Sequence, residues 1–190
     1  MGYNLLMNKI TVSVTDLASY ISRRGNLAGG SYGSVSGIEG TRLHQRVFSD
    51  LKKAYGDIVT TEEQLIYDYV SESGICLSVN GRYDAMMNVS GKPPMLFEIK
   101  SFNSTKDTFE ALVRPEHVTQ LKLYGAMYLL TNSEILDITL TLRYVSITSL
   151  KEDAKSPTKE QQIQPEFISV ISISASFKKP PSIPISPNSF

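Results

Sequence analysis

Two charges stand two residues apart inside an apolar run, Met95-Leu-Phe-Glu98-Ile-Lys100-Ser101. A run this short and this apolar reads as a strand, and one shielded on both faces belongs in the middle of a sheet. Side chains alternate along a strand, so Glu98 and Lys100 share one face while Ile99 takes the other. Charges in such a setting are costly unless they are paired or hold a metal. The chain must therefore build a sheet that buries this strand and gives its charged face a partner.

The surrounding pattern supplies that sheet. Residues 61–70 and 75–88 read as strands joined by a turn at Glu72–Gly74. The tight Gly91-Lys92-Pro93-Pro94 connection then brings the strand carrying Asp84 beside Met95–Ser101. Leu43, Val47, Leu51 and Ala54 recur at helical spacing and predict a helix over 38–55, closed by Gly56 and Asp57. Pro115 opens a second long helix running to about Leu130, and Thr131-Asn132-Ser133 stops it. Ile138–Ile147 alternates as a further strand. Nearer the N-terminus, Ser13 or Thr15 can cap a short helix within residues 11–22. Residues 23–37 are rich in Gly and Ser and read as a loop, without the Gly-Lys-Ser/Thr that a phosphate-cradling loop requires. The order helix, hairpin, strand, helix, strand predicts an α/β domain with a mixed central β-sheet flanked by helices.

Length and composition fit one such domain. The chain has 190 residues, 41% of them hydrophobic, which is enough for a buried core. The domain is expected over 1–150. Residues 151–190 form a polar, Pro/Ser-rich extension, expected to be partly disordered or to add a strand from the β-prone Phe167–Phe177. No run approaches the roughly 18 apolar residues that span a bilayer, and the opening MGYNLLMNKI lacks the pattern of a secretory signal. No membrane association and a cytoplasmic location are expected. Nineteen basic and nineteen acidic residues cancel, which argues against a passive nucleic-acid coat but not against an enzyme with a local basic rim. The single cysteine, Cys76, allows neither an intrachain disulfide nor a four-thiolate cluster, and reads as a small core residue.

The chemistry concentrates in three segments. Asp84, on the neighbouring strand, would share a patch with Glu98 and Lys100. Two carboxylates so placed repel each other and are comfortable only around a cation. Mg²⁺ suits them, because it takes one or two carboxylates and leaves positions for water and phosphate oxygens. Glu-x-Lys alone recurs by chance in roughly half of chains this long, so the apolar setting carries the argument, against a plain surface ion pair. His44 lies on or beside the apolar stripe of the 38–55 helix, with Gly40 one turn earlier. It reads either as a satisfied core histidine or as a ligand to the same ion. Glu39 suits the helix's first turn. Gln120 and Tyr124 share a face of the second long helix and need polar partners there, in the core or at the charged patch. Arg23, Arg24, Arg42, Arg46 and Arg114 are candidate phosphate contacts or ordinary surface charges.

Taken in order, Gly40-x3-His44, Asp84, Glu98-Ile-Lys100 and Gln120-x3-Tyr124 resemble the motifs of RecB-type PD-(D/E)XK nucleases, over about residues 38 to 128. The relatives include CRISPR-associated RecB-like exonucleases. The stretch IEGTRLHQ is similar to nuclease domains fused to bacterial Rad3-like helicases. The resemblance implies a restriction-endonuclease-like core and metal-dependent hydrolysis of DNA phosphodiesters, in repair, recombination or defence. It implies Mg²⁺ or Mn²⁺ held by His44, Asp84, Glu98 and the backbone carbonyl of Ile99. Lys100 would position the nucleophilic water, while Gln120 and Tyr124 support substrate and lysine. It also implies DNA as partner, with a helicase or a repair or defence protein as companion. Many RecB-like exonucleases carry four cysteines for an iron–sulfur cluster; with one cysteine, no such cluster is expected here. The alternative reading is a non-catalytic nucleic-acid-binding or scaffolding module that keeps the fold.

Overall fold

The computed structural model describes residues 2–4, 8–23, 37–102, 114–146 and 171–178. Strands β1 (Gly2–Asn4) and β2 (Lys9–Ser13) lead into helix α1 (Val14–Ile21), and helix α2 spans Gly37–Tyr55. A single 3-10 turn, Gly56–Ile58, precedes β3 (Val59–Thr61) and β4 (Gln64–Val70). Then come β5 (Cys76–Arg82), β6 (Ala85–Met87), β7 (Met95–Phe102), helix α3 (Pro115–Thr131), β8 (Asp137–Ser146) and β9 (Ile171–Lys178).

These strands form two mixed sheets rather than one, ordered β1-β2-β5-β4 and β3-β6-β7-β8-β9. The 75–88 run, continuous in sequence pattern, breaks at Tyr83–Asp84. Its first part pairs with β4 and its second with β7. The companion strand breaks in step, since Gln64 lies opposite Arg82 and Thr61 opposite Ala85, with two residues between on each strand. The Glu62 amide donates to the Asp84 carbonyl at 3.0 Å, and the Tyr83 amide to the Glu63 carbonyl at 3.2 Å. One two-stranded ribbon thus passes through both sheets, and Asp84 stands where it crosses. Glu62 sits there at φ 58, in the left-handed region that a glutamate seldom occupies.

β7 is the middle strand of its sheet, antiparallel to β6 and parallel to β8, as its apolar run requires. α3 covers one face, with Leu121, Tyr124 and Met127 packed in a cluster with Leu96, Leu140, Leu142 and Tyr144. α2 covers the other, with Leu43, Val47, Phe48 and Leu51 against Phe97, Ile99 and Val145. Ala54, expected in the same stripe, is exposed. The α3 face reaches the first sheet as well, through Val12 and Val79, and helix α1 through Val14.

Local chemistry sets the element ends. Ser13 caps α1, its Oγ accepting from the Asp16 amide at 3.0 Å. Pro115 opens α3 at a position whose amide has no helical partner to lose. Gly56, at φ 63, ends α2 in a conformation that glycine adopts without steric cost. Cys76 is half-buried at the start of β5 rather than a core residue. β9 lies antiparallel along β8, from Asp137 opposite Lys178 to Tyr144 opposite Ile171. Arg24, most of the 102–115 loop and the rest of the C-terminal extension lie outside the described residues.

Candidate active site

β6 and β7 pair with Ala85 opposite Phe97, so Asp84 arrives beside Glu98 without any long connection. Along β7, Phe97 and Ile99 turn to α2 while Leu96 turns to α3. Glu98 and Lys100 follow Leu96 by alternation and face α3.

Glu98 is 2% exposed. Its Oε1 accepts from Lys100 Nζ at 2.7 Å, and its Oε2 is buried with no hydrogen-bond partner among the described residues. Lys100 Nζ also donates to Gln120 Oε1 at 2.9 Å, so α3 fixes the ammonium from above the sheet. Asp84 Oδ2 accepts from the Ile99 amide at 2.6 Å, and its Oδ1 lies 3.6 Å from His44 Nδ1. The His44 ring meets Phe48 edge-on, with centroids 6.0 Å apart. His44 therefore reaches the carboxylate from the α2 side, while Lys100 and Gln120 close the site from the α3 side.

Electrostatics reflect this crowding. Burial drives the Glu98 carboxyl well above the ordinary range, the nearby Asp84 charge adds to the rise, and Lys100 opposes it. Burial likewise raises Asp84, against the opposing influence of His44, the Ile99 amide and Lys100. Burial thus disfavours the ionised form of both carboxyls.

Glu98 Oε2 tests whether a divalent ion fits. Among the described residues no cluster of three or more His, Cys, Asp or Glu side chains stands ready to enclose a metal. Mg²⁺ does not need such a cage: one or two carboxylates with waters suffice. Asp84 and Glu98 supply the two carboxylates, and the donor set fits on those terms.

Tyr124 lies one turn beyond Gln120, and its side chain interacts with that of Gln120. Its hydroxyl donates to the Arg82 carbonyl at 3.0 Å rather than to the lysine. Burial raises its pKa to about 12, with the Glu98 charge second. It therefore anchors the end of β5, two residues before Asp84. Gly81 makes room for it: a Cβ there would stand 2.8 Å from Tyr124 Cε1. Of the arginines, Arg23 and Arg42 are exposed, and Arg114 lies 3.9 Å from Glu116.

Two neighbours of the site escape sequence reasoning. Tyr144 lies opposite Lys100 on β8, and its hydroxyl meets His117 Nδ1 at 2.9 Å. Burial, then the positive charges of Lys100 and Arg114, depress His117 to about 3, so it is neutral near pH 7. The spacing held the signal, because His117 precedes Gln120 by three residues and Tyr124 by seven, all on one helical face.

No known family model and no curated protein matches the sequence. Several solved structures are similar in backbone. An alkaline exonuclease (LHK-Exo) from Laribacter hongkongensis aligns over 92% of this chain and 79% of its own, at 14% identity and a TM-score of 0.46. The crystal structure of SSO0001 aligns over 90% of this chain and 68% of its own, at 23% identity and a TM-score of 0.51. What the chain shares with SSO0001 is the fold, here an α/β arrangement of two mixed sheets flanked by helices.

Proposed function

We propose that this chain is a metal-dependent nuclease that hydrolyses phosphodiester bonds in DNA, acting on single-stranded or end-containing substrates. The observation that carries the reading is the buried Glu98, with one oxygen on Lys100 and the other unpartnered among the described residues, beside Asp84. A buried carboxylate left half-satisfied is costly, and a phosphate-bound divalent ion is the partner that removes the cost. The motif order from Gly40 to Tyr124 supports the same chemistry.

On this reading Asp84 and Glu98 hold Mg²⁺ or Mn²⁺, with His44 and the Ile99 carbonyl nearby. The ion supplies Lewis-acid polarisation of a phosphoryl oxygen. The protein's own groups do the rest. The Ile99 amide fixes the rotamer of Asp84 by its hydrogen bond. Gln120 holds the Lys100 ammonium over the sheet, where it orients an attacking water and offsets the charge developing on the phosphate. Tyr124 secures the strand end that delivers Asp84. A helicase or a repair or defence protein that presents the strand, and a cytoplasmic setting, belong to the same reading.

The test is cleavage of end-labelled single- and double-stranded DNA with Mg²⁺, Mn²⁺ or EDTA, comparing wild type with Glu98→Ala. Metal-dependent cleavage lost in the variant is the expected result, and the product ladder separates exonuclease from endonuclease action. A folded wild type that cleaves nothing under any metal would overturn the catalytic reading and favour a scaffolding module.

A further inference from the structure

On the α2 face of the second sheet, away from Lys100, lies a cavity of about 200 Å³ lined by Val47, Asp50, Leu51, Tyr55, Arg143 and Val145. Arg143 is half-buried there, and its Nε is buried with no hydrogen-bond partner among the described residues. Its guanidinium lies 5.2 Å from the centroid of the Phe97 ring. Among the described residues no carboxylate pairs with it, and Asp50, which lines the same cavity, is exposed to solvent. An arginine kept half out of water with no anion is expensive. A stacked guanidinium presents a planar fork of donors matched to the oxygens of phosphate or carboxylate. The cavity is smaller than the roughly 300–1,000 Å³ of pockets for drug-sized ligands, so it suits a single anionic group rather than a whole nucleotide.

We propose that Arg143, backed by Phe97 and bordered by Tyr55, forms a binding site for a small oxyanion, phosphate foremost. The site is separate from the Asp84–Glu98 centre. Arg143 neighbours Ile99 across the β7–β8 ladder, but its side chain occupies the α2 face, whereas Lys100 faces α3. The proposal therefore does not rest on the nuclease reading.

The experiment is thermal unfolding of the full chain in EDTA at constant ionic strength, with chloride replaced by inorganic phosphate or by acetate. Phosphate at several times its dissociation constant should raise the wild-type Tm by about 2–4 °C. A rise with acetate as well would mark a general oxyanion site, and a rise with phosphate alone a phosphate site. Arg143→Met replaces the charged fork by an unbranched apolar side chain, so it should fold, melt no lower than wild type in chloride, and lose the response. Arg143→Lys keeps the charge without the fork and should respond less. No rise in wild type with either anion, or an undiminished rise in Arg143→Met, would overturn the proposal.

Discussion

Lys100 is held from two directions, by Glu98 within its own strand and by Gln120 across the helix–sheet interface. If the site hydrolyses phosphodiesters as proposed, removing the ammonium deletes a donor aimed at developing charge, so Lys100→Ala should lower cleavage by about 100–1,000-fold while the far-ultraviolet circular dichroism stays native. Gln120→Ala leaves the charge but releases its position, and a milder loss of up to about 100-fold is expected in the same assay. His117 makes a prediction about pH instead. Its ordinary pKa is 6.5 and burial lowers it to about 3 in the fold. The unfolded chain takes up this proton as pH falls through about 6.5, whereas the folded chain resists until about 3. Stability that is fully present above 6.5 is therefore lost as pH falls across that window. His117→Gln, which keeps a polar group near the Tyr144 hydroxyl but does not titrate, should show a flatter decline of urea midpoints between those limits. An unchanged slope would remove His117 from the acid sensitivity.

At the scale of elements, α2, α3, β7 and β8 stand where the periodicity of the chain puts them, because each buries a regular face. The pairing of Asp84's strand with β7 was also legible, from the short Gly-Lys-Pro-Pro connection. β2 was not, since Lys9–Ser13 runs directly into its helix and Ser13 serves both as last strand residue and as cap. The break at Tyr83–Asp84 was hidden for a different reason. Neither residue of the break is Gly or Pro, and the bend resides in the strained Glu62 backbone of the partner strand and in the switch of pairing partners. Arg143 was hidden inside the alternating pattern of β8. Such tertiary choices leave little local trace. The tight contact between α3 and β5 yields a further prediction. Gly81→Ala would push a Cβ to within 2.8 Å of Tyr124 and 2.9 Å of Val14, both buried. Tyr124 is tethered by its bond to the Arg82 carbonyl and cannot swing aside, so the variant should lose about 1–3 kcal/mol in chemical denaturation.

For the molecule as a whole, β9 covers an edge that β8 would otherwise present to solvent along Asp137–Tyr144. Truncation after Leu150 should leave a folded core with a lower denaturation midpoint and a concentration-dependent elution volume, since bare strand edges recruit other strands. A truncated chain that stays monomeric and equally stable would show that β9 adds little. The ribbon from β3 to β6 has a wider consequence. Because one pair of strands is stitched into both sheets, and Asp84 sits on the seam, the angle between the sheets and the position of one carboxylate are a single variable. A cation gripped between Asp84 and Glu98 would act as a rivet through that seam, so loading the ion and stiffening the joint become one event. By reciprocity, whatever bends the sheets apart must loosen the ion by the same free energy.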